Sequence, residues 1–156
     1  MEDCREAVCY PLLIAGIFAE LERERLVARV EDLLDRFTLR TEMLGDDTRG
    51  WRQVLNGQGE KMSDLLSLYY DSRGLERGMR AVKAQLSKML QHIEELQNKY
   101  HPKESIPKEE EEKWINFRNT GIRIQERLLE ICEEYDRKID DCNMIMEDLT
   151  MTTQLV

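Results

Sequence analysis

The chain has 156 residues, of which 35% are charged and 6% aromatic, with three Pro, eight Gly and a net charge of -9. That length can bury one modest core without disulfides or metal, and the balance is that of a helical bundle, not of a β-rich or disordered chain. The negative charge argues against nucleic acid or an anionic membrane surface as ligand, because both need a concentrated basic surface.

Near the amino terminus, Ala7 to Ala19 is almost wholly apolar. Glu2, Asp3 and Glu6 against Arg5 give its leading end the wrong sign for a secretory signal, and the run is too short to span a bilayer, so no membrane insertion is expected. Pro11 suits a first helical turn, and a helix is expected from there to Leu44, with Leu13, Ile17, Leu21, Val27, Val30, Leu34, Phe37 and Leu44 on its seam. The rhythm slips between Leu21 and Val27, which reads as a coiled-coil discontinuity. Leu12, Leu13, Ile17 and Leu21 have two readings: a greasy start that packs on the rest of the bundle, or a docking surface for another chain. Internal packing is the first, because apolar runs usually end up buried.

Gly45 to Gly50 forms a turn-rich joint, followed by a possible amphipathic turn at Trp51, Val54 and Leu55 between glycines. The acidic residues of the joint lack the Gly and Glu offsets of a calcium loop. A second helix is expected from about Lys61 to Tyr100, with Met62, Leu65, Tyr69, Ser72, Glu76, Met79, Val82, Leu86, Met89, Ile93, Leu96 and Tyr100 on one seam. Gly74 and Gly78 each cost about 1 kcal/mol relative to Ala inside a helix, which places a kink or a close helix contact there. Arg73, Arg77, Arg80, Lys83 and Lys88 form the most basic run; it reads first as a solvated face and second as a surface for an acidic partner, such as another acidic helix.

Pro102 and Pro107 punctuate the next joint, and Glu109 to Glu112 put negative charge where a helix amino end favours it. From Trp114 to Leu149 an apolar seam runs through Phe117, Gly121, Ile124, Leu128, Ile131, Tyr135, Lys138, Cys142 and Ile145, at alternating steps of three and four, the pattern of a coiled-coil helix. Ile115, Ile122 and Leu129 lie beside that seam at heptad spacing. A band so wide asks for two neighbours, so these three join the candidate partner-binding residues. A short joint between two long seams implies an antiparallel hairpin, and one register sets Leu65 against Cys142, Ser72 against Tyr135, Leu86 against Gly121 and Tyr69 against Lys138 as a cation–π pair. Charge agrees: Glu60–Tyr100 carries seven basic and six acidic residues, and Lys108–Leu149 seven basic and thirteen acidic.

Cys4, Cys9, Cys132 and Cys142 lack metal-site spacing, and Cys142 falls on the apolar seam, as a buried thiol of a reducing compartment would. No phosphate loop, nucleophile elbow or di-iron spacing is present in the sequence. The expected fold is all-α, an elongated antiparallel coiled-coil hairpin over about 61–100 and 107–151 with an N-terminal helix, making a three-helix bundle or rod. Its segments are an N-terminal helix in 1–44, a Gly-rich joint in 45–60, the hairpin in 61–151 and a frayed tail in 152–156. The expected function is non-enzymatic: a cytoplasmic scaffold subunit that binds a helical protein partner or itself, with a cytoskeletal assembly (centrosome, cilium or kinetochore) as the first setting. A trafficking adaptor or tether, and an autonomous module that binds a helical peptide, are the alternatives. No cofactor, metal, nucleic acid or small-molecule substrate is expected.

Overall fold

A computed structural model describes residues 13–45, 59–99 and 108–154, and these form three helices and no strand. The fold is all-α. Helix α1 spans Leu13–Gly45, α2 Gly59–Lys99 and α3 Lys108–Gln154. Each boundary falls within a few residues of a sequence signal: α1 stops at the first residue of the Gly-rich joint, α2 ends on Lys99, whose charge suits a helix carboxyl end, and α3 opens just after Pro107. The expectations for Cys4, Cys9, Pro11, Leu12, Trp51, Val54, Leu55 and the joint at His101–Pro107 lie outside the described residues, as do the side chains of Leu44 and Met62.

The described residues fall into two compact units, one within Met1–Arg23 and Val82–Glu134, the other within Glu24–Ala81 and Tyr135–Val156. Every helix contributes to both. In the first unit the core is built from Leu86 and Ile93 of α2 and from Leu128, Ile131 and Cys132 of α3, with Ala19 of α1 buried as well. Here α1 and α3 run in the same direction. Gly16 stands level with Ile124, Glu20 with Arg127 and Arg23 with Glu134.

In the second unit Val27, Val30 and Leu33 of α1 are buried along with Leu68, Leu75 and Met79 of α2 and Tyr135, Ile139, Cys142, Ile145 and Leu149 of α3. Helices α1 and α2 are antiparallel, as two ion pairs show: Arg36 to Asp71 and Arg40 to Asp64, each at 3.1 Å. Lys138 of α3 reaches Glu31 of α1 at 3.7 Å. Ser72, fully buried on the seam of α2, donates its hydroxyl to the Leu68 carbonyl at 2.8 Å, so it leaves no unsatisfied donor in the core.

Three expectations about packing are corrected. First, Tyr69 does not sit over Lys138; it lines a groove with Asn143, Met146 and Glu147, about one heptad further along α3, while Lys138 pairs with Glu31 and Asp141. A shift of seven residues superposes a heptad pattern on itself, so apolar spacing alone does not choose between the two registers. Second, α2 passes through Gly74 and Gly78 without interruption, and a Cβ on either glycine would meet nothing within 4 Å. No close helix contact is made there. Third, the four-residue spacing of Glu134 and Lys138 predicts an ion pair along α3, but Glu134 accepts instead from Arg23, at 3.1 and 3.3 Å.

Candidate functional site

The first turns of α1 reverse the usual distribution of side chains. Ala15, Gly16 and Ala19 are half-buried or buried, whereas Ile14, Ile17, Phe18 and Leu21 are between 55% and 75% exposed. At 3.6 residues per turn those four project from one side, opposite the side that carries Gly16, Ala19, Glu20 and Arg23. Small residues face inward and bulky apolar ones face outward. A Cβ added to Gly16 would lie 3.9 Å from Ile124 Cγ2, an ordinary van der Waals contact.

What fixes this segment is charge. Glu20 accepts from Arg127 through both carboxylate oxygens and from Arg23 Nε at 3.0 Å; Arg23 also donates to Glu134, and Arg127 to Glu130 at 2.7 Å. Beside Arg127, and secondarily Arg23, the Glu20 carboxyl is held below its ordinary value, against a partial opposing effect of burial. Arg127 and Arg23 are raised correspondingly, each chiefly by its hydrogen bond to Glu20. A network of this kind specifies orientation, because each carboxylate–guanidinium contact is directional, and it leaves the apolar side chains of α1 unused.

The sequence-derived candidates fall into place as follows. Leu13 is half-buried, Ile17 and Leu21 are exposed, and so are Ile115, Ile122 and Leu129 of α3. The expectation that Ile17 and Leu21 pack inside with Val27 and Val30 is overturned. The slip after Leu21 is a change of face: residues before it point outward on an unbroken helix, and Leu26, Val27, Val30 and Leu33 after it point inward. Nor does α1 cover the second apolar band of α3. It meets α3 through Ile124, Arg127 and Glu134, on a different side from Ile115, Ile122 and Leu129. Sequence reasoning missed Ile14 and Phe18, although both sit at helical spacing from Ile17 and Leu21, because a single seam was followed where two faces were apolar.

In the second unit an open groove of about 440 Å3 is lined by Tyr69, Asn143, Met146, Glu147, Thr150 and Met151. Tyr69 meets Tyr70 edge to face, with ring centroids 5.8 Å apart. On α3, Arg118 lies over the Trp114 ring, 5.4 Å from its centroid, a contact that covers one aromatic face. Cys132 and Cys142 are buried, and burial, with Asp141 and Glu76 nearby, pushes the Cys142 thiol up to about 11. Among the described residues no group of three or more His, Cys, Asp or Glu is placed to hold a metal ion, and no helix is long and apolar enough to cross a membrane.

No family model, no curated protein and no solved structure matches the chain.

Proposed function

We propose that the chain is a non-enzymatic helical interaction subunit, which holds an assembly together by engaging a helix of another protein along the outer side of α1. The observation that carries this reading is the outward stripe of Ile14, Ile17, Phe18 and Leu21. An apolar stripe at i, i+3, i+4 and i+7 is what one amphipathic helix offers another, and it stands on a segment already fixed by its own ion-pair network. Large exposed apolar patches on soluble chains mark interaction sites. The two buried thiols favour a reducing compartment as the setting.

The test is a comparison of the full-length chain with the double variant Ile17→Glu/Phe18→Glu, each tagged and recovered from source cells with its partners quantified. The expected outcome is unchanged thermal melting and loss of the stoichiometric helical partner from the variant. A fall in melting temperature comparable to a core substitution would show that the stripe is packed inside, and an unchanged partner set would remove α1 from the interface.

A further inference from the structure

Beyond that reading, and independent of α1's outer stripe, we propose that α2 and α3 of the second unit form a self-complementary face that docks a second copy of this chain. Two exposed stripes carry the inference. On α2, Leu66 and Tyr70 are followed by Arg73 and Arg77, at steps of four, three and four, all exposed. On α3, Asp140 is followed by Met144, Glu147 and Met151 at steps of four, three and four, again all exposed. The four apolar members are between 45% and 64% exposed.

Both stripes look the same way. The α2 residues that reach α1 are Asp64 and Asp71, on the other side of that helix from Leu66, Tyr70, Arg73 and Arg77. On α3 the residue that reaches α1 is Lys138, again opposite the stripe. The two stripes therefore flank the open groove in which Tyr69 stands beside Met146 and Glu147.

Charge selects the occupant. Between Leu66 and Arg77 the two acids, Asp71 and Glu76, are half-buried and are held by Arg36 and Arg80, so the exposed stripe is basic. From Ile139 to Met151 the sequence has no Lys or Arg, so its stripe is acidic. The two stripes are complementary in sign, and each has an apolar residue, Leu66 or Met151, at the end away from Arg77 and Asp140. A two-fold axis along the helices keeps every residue at its own level, so the level at which α2 meets α3 within a chain is also the level at which it meets α3 of the second copy. Within a chain the groove sets Tyr69 beside Met146, Glu147, Thr150 and Met151, so across the axis Leu66 and Tyr70 of one copy face Glu147 and Met151 of the other, and Arg73 and Arg77 face Met144 and Asp140. Apolar falls on apolar at one end and cation on anion at the other, and the symmetry repeats the set. Such a face is isologous and closes at two copies. It uses far fewer than the ~20–30 residues per side of a standard interface, so the dimer forms in the micromolar range and weakens with salt.

Sedimentation velocity on the full-length chain, from about 1 to about 200 μM at low and high salt, tests this directly. The expected result is a monomer–dimer equilibrium. Arg77→Glu or Asp140→Arg alone weakens it about tenfold, since each puts like charges together twice, and the double exchange Arg77→Glu/Asp140→Arg restores it. The Ile17→Glu/Phe18→Glu variant dimerises as the parent does. A wild-type chain that stays monomeric throughout overturns the proposal. So does a dimer indifferent to both single exchanges, or one that the double exchange fails to restore while circular dichroism shows the variant folded.

Discussion

At the scale of single residues, two glycines and one glutamate make the sharpest cases. Gly74 and Gly78 sit inside an unbroken helix with open space where a Cβ would go. Replacing either by Ala therefore removes chain freedom from the unfolded state without a clash, and each is expected to raise stability by about 1 kcal/mol in urea unfolding. Glu20 is the hub of the α1–α3 ion pairs, and Glu20→Gln is expected to lower stability by about 1 kcal/mol at neutral pH. Because its folded-state carboxyl lies below the ordinary 4.5, the stabilisation is complete above that value and is lost as pH falls below it. Melting curves of parent and variant should accordingly diverge at neutral pH and converge in acid. Neither feature was legible from spacing. A helical glycine looks alike whether a neighbour approaches or not, and Arg127, the partner that ties Glu20 to α3, lies more than a hundred positions away.

At the scale of elements, the buried side of α3 was readable, and that of α1 only from Val27 onward. Leu128, Ile131, Tyr135, Cys142, Ile145 and Leu149 were all placed on the seam by periodicity, and all are buried. Leu128→Ala is expected to cost about 2–5 kcal/mol in equilibrium unfolding. Periodicity works there because α3 has one apolar side that dominates. In α1 it reports which residues share a side but is silent on which side is inward, and Ala19, Glu20 and Arg23 carry too little apolar signal to announce the inward one. The outer residues Ile14, Ile17, Phe18 and Leu21 thus looked like core. The hairpin register failed for a related reason: the volume of Tyr69 fits beside either of two positions seven residues apart, and the neighbouring ion pair of Lys138 with Glu31 was not visible until α1 had been placed.

At the scale of the whole molecule, the long uninterrupted helices of the described residues were legible from charge, Pro and Gly content and spacing, whereas the division into two units that share all three of them was not. Among the described residues each unit holds one buried thiol, Cys132 in the first and Cys142 in the second. With Cys4 and Cys9 replaced by Ser, alkylation at each remaining thiol reports the opening of its own unit. Labelling is expected to be on the order of a thousandfold slower than for an exposed thiol and to accelerate with denaturant; rapid labelling at either site in native buffer would mean that its unit is open. The outward stripe of α1 has one more consequence, in the economy of the cell. A chain that displays four bulky apolar side chains on an ordered helix is, until they are covered, a standing target for chaperones and proteases. If the stripe is the partner's seat, the amount of this protein in a cell is set by the amount of its partner, and depleting the partner shortens the lifetime of this chain without touching its synthesis.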